Sequence, residues 1–266
     1  MEKIKLEHVT KTFLVRDEEK KGVKREFTAI QDLDFSVKEG EFLTIVGPSG
    51  CGKSTLLDLL LGLTTPTKGR LLIDGREING PGLDRGIVFQ QYALFPWKTA
   101  RGNIEFGLEA KGVPKSEWRE QADYYLDLVG LKNFADRYPH ELSGGMKQRV
   151  AIARSLAFNP DVLLMDEPFA ALDAQTRETL QSELLRIWEK TGKTIIFITH
   201  GIDEAVYLGE RVVVLSPNPG RVKKIIDVPL KNRLFDQAIK SDETFIKVRQ
   251  EVWSLLHEAE YQGAGI

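Results

Sequence analysis

A chain of 266 residues with 37 basic and 39 acidic side chains has a formal net charge of −2, which bounds it to one large or two small domains without a broad basic surface for duplex nucleic acid. Hydrophobic residues make up 42% and charged residues 29%, enough apolar material for a substantial core, so a disordered or collagen-like chain is excluded. The single cysteine, Cys51, excludes an intramolecular disulfide and a cysteine-based zinc cluster, and fits a reducing compartment.

The opening Met1-Glu2-Lys3-Ile4-Lys5-Leu6-Glu7 lacks the apolar stretch of a secretory signal, and no window approaches the roughly 20 apolar residues that span a bilayer. A soluble chain that meets a membrane only through a partner is expected. Residues 2–9 set Ile4, Leu6 and Val9 against Lys3, Lys5 and Glu7, the alternation of a half-buried strand. Residues 16–26 mix both charge signs around Gly22 without a period and read as an exposed loop at a hairpin tip. Short apolar runs at 42–46, 86–89, 162–165, 194–198 and 212–215 have the length of buried strands. Trp118, Ala122, Tyr125, Leu126 and Val129 share one helical face, as do Leu180, Leu184, Ile187 and Trp188. Strands alternating with helices predict a parallel α/β sheet. Beyond Leu230, Phe245, Val248, Val252, Leu255 and Leu256 recur at helical spacing ahead of Gly263-Ala264-Gly265, which predicts a short C-terminal helix. There is no internal repeat and no low-complexity tract.

Gly47-Pro48-Ser49-Gly50-Cys51-Gly52-Lys53-Ser54-Thr55 follows the first buried run and precedes Leu56-Leu57-Asp58-Leu59-Leu60, the strand, glycine loop and helix order of a P-loop. Glycines let main-chain N–H groups curl toward an anion, and the helix N-terminus adds partial positive charge. Lys53 is placed to reach the β- and γ-phosphates of a nucleotide, and the Ser54 hydroxyl to hold Mg²⁺. Cys51 sits near the helix start, where a thiol can become more acidic; its plain reading is a small side chain that fits. Asp161-Val-Leu-Leu-Met-Asp166-Glu167 ends a second buried strand on two acids just before Pro168. Asp166 suits the metal's water shell, and Glu167 the attacking water, as base or positioner.

Leu142-Ser143-Gly144-Gly145-Met146-Lys147-Gln148-Arg149 stands between these elements, and Val150-Ala151-Ile152-Ala153-Arg154 continues it as a helix. Alone, a serine before a helix is an ordinary N-cap. With Gln90 after one strand, Ala171-Leu172-Asp173 after the acids and His200 after another strand, the set resembles the ATP-binding cassette (ABC) ATPase family over roughly residues 1–230. Phe95-Pro96-Trp97, Met165 to Asp173, Glu204-Ala205-Val206-Tyr207-Leu208 and Pro219-Gly220-Arg221 look like the ATPase subunits of nitrate, sulfonate and taurine importers. Gly201 departs from that branch, which usually has Asp after the histidine; glycine removes a carboxylate and adds backbone freedom.

The resemblance implies a P-loop NTPase with a RecA-like parallel core, an N-terminal antiparallel β subdomain, a helical subdomain inserted at about 91–159, and a short C-terminal helical extension over 231–266. It implies ATP and Mg²⁺ as cofactors, with Ser54, Gln90 and Asp166 toward the metal and Glu167, His200 and Gln90 toward the attacking water. Two subunits, most simply identical, pack head to tail, so that Ser143, Gly144 and Gly145 of one face the γ-phosphate on Lys53 of the other, while Asp173 crosses the interface. Phe13 resembles the aromatic that stacks on adenine, core packing beside the first strand being its other reading. Gln91-Tyr92-Ala93-Leu94-Phe95-Pro96-Trp97 divides between core packing and an exposed patch where an integral membrane permease subunit docks. A periplasmic or lipoprotein substrate-binding protein acts indirectly, nucleic acid is no partner, and the chain sits peripherally on the cytoplasmic face of the membrane. A P-loop nucleoside kinase leaves the signature and His200 unexplained. A chromosome-maintenance ATPase needs a long coiled coil, for which the segment between P-loop and signature has no heptads. A non-hydrolysing regulatory cassette is opposed by intact Glu167 and His200.

Overall fold

The structure, a computed structural model, describes residues 1–16, 24–230, 233 and 239–262. The strands are β1 (Glu2–Arg16), β2 (Lys24–Lys38), β3 (Phe42–Val46), β4 (Lys68–Ile73), β5 (Arg76–Glu77), β6 (Arg85–Val88), β7 (Val162–Asp166), β8 (Thr194–Ile198), β9 (Arg211–Leu215) and β10 (Val222–Asp227). The α-helices are α1 (Lys53–Leu61), α2 (Ala100–Lys111), α3 (Trp118–Leu128), α4 (Gly144–Ala157), α5 (Ala174–Thr191), α6 (Ile202–Leu208) and α7 (Glu243–Gln262). The chain divides into two compact units, Met1–Gly82 with Ile198–Ile266, and Leu83–Phe197.

In the first unit an antiparallel sheet runs in the order β2-β1-β4-β5. β1 starts with the expected alternation, Ile4, Leu6 and Val9 facing inward. Register shifts at Leu6/Val9, Val9/Lys11 and Lys11/Thr12 then break the period while pairing continues as far as Arg16 with Lys24. The expected loop over 16–26 is therefore corrected at both ends, Arg16 belonging to β1 and Lys24, Arg25 and Glu26 to β2; residues 17–23 lie outside the described residues. A second sheet segment has the order β10-β9-β3. β3 pairs parallel with β9, Leu43 opposite Arg211, and all five β3 residues are buried, as a continuous apolar run requires of a strand covered on both faces. β10 adds an antiparallel edge that the sequence reading does not contain.

α7 packs on α6, β9 and β10. Its apolar face is Phe245, Val248 and Val252, and the Asp242 carboxylate accepts the Thr244 N–H at 2.7 Å as its cap. At 20 residues it is far longer than the short helix expected; the glycine-rich end at 263–265 lies outside the described residues.

In the second unit the strand order is β8-β7-β6, with β6 and β7 parallel. α2, α3 and α4 pack on one another. α2 begins where the Thr99 side chain accepts the Gly102 N–H and ends at left-handed Gly112; α5 ends at left-handed Gly192. α2 carries only a weak apolar face, since Asn103 and Gly107 stand among its buried positions, and periodicity alone does not reveal it.

One buried ion pair ties the start of β3 to β9. Glu41, 4% exposed, accepts the Lys38 N–H at 2.7 Å and a guanidinium N–H of Arg211 at 2.9 Å; Arg211 also donates to the Ser36 carbonyl at 2.6 Å. Its hydrogen bond to Glu41 raises the Arg211 pKa further. Removing one partner strands the other's charge in a site of low polarity, so Glu41→Gln should cost about 3 kcal/mol in urea unfolding. Glu41→Gln with Arg211→Met should recover part of that loss.

Candidate functional site

In the first unit the loop leaving β3 is shaped by its glycines. Gly50 (φ 79°) and Gly52 (φ 87°) are left-handed, a conformation costly for residues with a Cβ. Gly52 is also the N-cap of α1 and supplies no side-chain acceptor, so no cap competes for the N–H groups of the first turn. A Cβ on Gly47 would lie 2.5 Å from the Cys51 sulfur. The Lys53 ammonium folds across the loop, donating to the Gly47 carbonyl at 2.8 Å and the Pro48 carbonyl at 3.3 Å. Left-handed glycines at an uncapped helix start, with a cation across them, are the elements from which an anion nest is built.

Two sequence-distant segments back this nest. A Cβ on Gly52 would clash with Ile30 of β2. Gly220 donates to the Ala29 carbonyl at 3.0 Å and accepts the Gln31 N–H at 2.8 Å. A Cβ on Gly220 would overlap the Cys51 carbonyl. Sequence reasoning holds Pro219-Gly220-Arg221 only as a family detail; a glycine beside a turn-forming proline is the signal that could have raised it. Cys51 is fully buried. Burial pushes its thiol pKa up, outweighing the Lys53 charge, so the plain reading of a small side chain fits and the acidic-thiol possibility does not.

Phe13 is 37% exposed on β1, opposite the also exposed Phe27, and the Lys11 ammonium stands 5.0 Å from its ring centroid. An exposed ring of this kind is not core packing, which corrects that alternative. His200 is exposed just past β8. Buried Thr199 anchors the turn: its N–H donates to the Ile45 carbonyl of β3 at 3.2 Å, and its hydroxyl accepts the Gly201 N–H at 2.9 Å while donating to Glu204. Gly201 has φ −82°, an ordinary value, so glycine's extra freedom is not used there.

In the second unit Gln90 is exposed just past β6. Asp166 ends β7, and Glu167 follows at φ 45°, a left-handed conformation rare for glutamate and common where side chains are aimed for chemistry. Fully buried Phe169, packed on Phe197 at 5.7 Å between centroids, secures the backbone just beyond it. Ser143 caps α4 by accepting the Met146 N–H at 3.3 Å. A Cβ on Gly145 would lie 2.7 Å from Thr176 of α5. Asp173 caps α5, accepting the Thr176 N–H at 3.0 Å, which holds its carboxyl below the usual range. Phe95 lies between Phe106 (4.7 Å) and Trp97 (5.5 Å), and Trp97 is 70% exposed. Asn103, fully buried, accepts the Phe95 N–H at 2.8 Å and donates to its carbonyl at 3.2 Å.

The expected site residues thus divide. Phe13, residues 47–55 and His200 stand on the first unit, and Gln90, Ser143, Gly144, Gly145, Asp166, Glu167 and Asp173 on the second. Among the described residues no cluster of three His, Cys, Asp or Glu side chains could cage a metal.

The ABC transporter family matches residues 30–170. An uncharacterized ABC transporter ATP-binding protein of Methanocaldococcus jannaschii is 51% identical over 96% of this chain and 92% of its own length. The nitrate import ATP-binding protein of Synechocystis is 50% identical over 90% of this chain and 92% of its own, and the taurine import ATP-binding protein of Roseobacter denitrificans is 47% identical over 89% and 90%. Among solved structures, a dimeric post-hydrolysis ATP-binding cassette bound to ADP and phosphate superposes with TM-score 0.71 at 37% identity, covering 86% of this chain and all of that one. A cassette from a Clostridium perfringens ABC transporter complex gives 0.75 at 28% identity, covering 98% of this chain and all of that one.

Gly220→Ala should weaken ATP binding at least tenfold in equilibrium titration, because the added methyl displaces the Cys51 carbonyl and the loop with it. With its pKa raised, the Cys51 thiol should stay protonated through the ordinary thiol range, and its alkylation rate should climb only above that range. Rapid labelling of the folded chain at neutral pH would contradict this, and labelled chain should no longer bind ATP.

Proposed function

The chain belongs to the ABC transporter family of ATP-binding, ATP-hydrolysing cassettes, and we propose that it energises a bacterial importer of the nitrate, sulfonate or taurine type. The observation that carries this is the identity of about half, over nine-tenths of both chains, with a nitrate import ATP-binding protein. In this reading two copies pack head to tail around two nucleotides, the chain rests peripherally on the cytoplasmic face of the membrane, and a separate binding protein selects the substrate. None of the described helices is long and apolar enough to cross a membrane, and in this reading the permease subunits are separate chains. The exposed Trp97 and its neighbours Phe95 and Phe106 offer them an apolar docking patch. Residues 1–230 form the cassette, with the helices within about 91–159 as its inserted subdomain and 231–266 as an extension.

The site roles follow motif by motif. Main-chain N–H groups of residues 47–55 cradle the phosphates, Lys53 neutralises them, and the exposed Phe13 stacks on adenine. Ser143, Gly144 and Gly145 present a second helix N-terminus to the γ-phosphate across the dimer, where Asp173 also lies. Glu167, aimed by its left-handed backbone, orients and deprotonates the attacking water. His200 holds the γ-phosphate, and Gln90 touches the water and reports permease engagement. The residues fit Mg²⁺ by their chemistry: the side chains of Ser54, Gln90 and Asp166 offer hard oxygen donors, which would act with phosphate oxygens of the nucleotide, as Mg²⁺ prefers. When bound, the ion neutralises charge on the transferred phosphoryl group.

Glu167→Gln should keep ATP affinity within a few fold, lower phosphate release at least 100-fold, and accumulate a nucleotide-bound dimer in size-exclusion chromatography with ATP. Turnover within a few fold of the parent would sink the role of Glu167. Lys53→Ala should instead lose ATP binding itself. Purification from detergent-solubilised membranes of the native host should retrieve a multi-span protein with ATPase activity; activity with no such partner would overturn the importer reading.

A further inference from the structure

The motif assignments leave Arg154 unused. It lies on α4, the helix capped by Ser143, and its hydrogen bonds go to main-chain carbonyls: to Ala93 at 2.6 Å and to Tyr92 at 3.1 Å. Its guanidinium also stands 5.7 Å from the Phe95 ring centroid. Burial lowers its pKa, and among the described residues no carboxylate offsets that. A partly buried cation is costly unless its hydrogen bonds compensate, and these go to one turn.

The carbonyls it holds belong to an unusual turn. Tyr92 (φ 59°) and Ala93 (φ 48°) are consecutive left-handed residues, neither a glycine, and such a pair persists only when its surroundings fix it. Arg154 is suited to fixing it. A planar fork donates to two carbonyls in fixed geometry while its flat face turns toward an aromatic ring, and a lysine ammonium has no such face. At its other end the turn reaches the signature, since a Cβ on Gly144 would lie 3.1 Å from the Tyr92 hydroxyl. The next residue on α4, Ser155, donates its hydroxyl to the Ile87 carbonyl of β6 at 2.7 Å. The segment from β6 to Phe95 is therefore hydrogen-bonded to α4 through Ser155 and Arg154, and passes close to its start at Gly144.

We propose that Arg154 is a positioning residue which, by gripping the Tyr92–Ala93 turn, makes the docking segment after Gln90 and the Ser143–Gly145 turn move as one piece. A partner pressing on Phe95 or Trp97 then shifts the signature through α4, with Arg154 as the joint. This rests on the reading of Phe95–Trp97 as the permease contact.

The test is hydrogen exchange on the full-length chain with ATP present, beside steady-state hydrolysis. In Arg154→Met, amide exchange should accelerate at least tenfold in residues 92–98 and 144–147 while α3 and α1 keep their protection; kcat should fall at least fivefold with KM within twofold. Arg154→Lys should lie between this variant and the parent. Adding Ala93→Gly to Arg154→Met should recover at least half of the lost kcat, because glycine occupies the left-handed region unaided; a purely structural role gives no such rescue. Unchanged exchange at 92–98, acceleration spread through α3, a loss expressed in KM, or absence of rescue would each overturn the proposal. If Arg154→Met does not fold, Arg154→Lys with and without Ala93→Gly carries the same comparison. Exchange needs neither turnover nor a partner, so a parent chain that captures no membrane protein would sink the importer reading and leave the Arg154 grip to be judged on exchange alone.

Discussion

Main-chain N–H groups that are to bind a polyphosphate must be denied partners by the fold that positions them. Buried donors are otherwise almost always satisfied, so such a nest is a local exception that its surroundings have to enforce. Here the enforcement is steric. Gly50 and Gly52 take conformations closed to other residues, α1 starts without a side-chain acceptor, and Ile30 with the Gly220 turn leaves no room behind the loop. The start of α4 and that of α5 are built the other way, with Ser143 and Asp173 each occupying one N–H of the first turn. Of these three helix starts, α1 leaves its donors most open, as the strongest anion contact requires.

What sequence made legible follows from how local each signal is. The P-loop, the paired acids and the signature are contiguous residues at fixed spacing. The largely buried strands β3, β7 and β8 are short, mostly apolar runs, and the sequence pattern reports all of these. β2 was missed because its inward residues are interrupted by the bulge near Asp32 (φ 55°), and β10 because it is an edge with Lys223 and Lys224 exposed. Gly220 escaped for a different reason: its importance lies in a contact with Cys51, across a separation that no periodicity reports. Arg154 is, in sequence, one polar residue on a helix, and the main-chain carbonyls it holds lie about 60 residues away, where no local pattern points.

Glu167, Tyr92 and Ala93 share a feature that motif reading does not supply, a left-handed backbone on side chains that disfavour it. Each conformation costs about 1–2 kcal/mol, and each is held from outside, Glu167 by the buried Phe169 beyond it and the Tyr92–Ala93 turn by Arg154. Gly201 is the converse, a glycine in an ordinary conformation whose turn is kept by Thr199 and Glu204. Residue type and backbone demand are thus decoupled at several functional positions, and the restraint is found in a neighbour.

The discontinuity of the first unit bears on how the protein is made. Glu41 and Arg211, the pair joining β3 to β9, are 170 residues apart, whereas residues 83–197 form an uninterrupted stretch. On the ribosome the nucleotide-loop strand therefore emerges early but waits for β9, while the second unit is already complete in sequence. Long-range parallel pairing of this kind is slow, and until it forms the mostly apolar β3 lacks this partner, an exposure that favours misassociation.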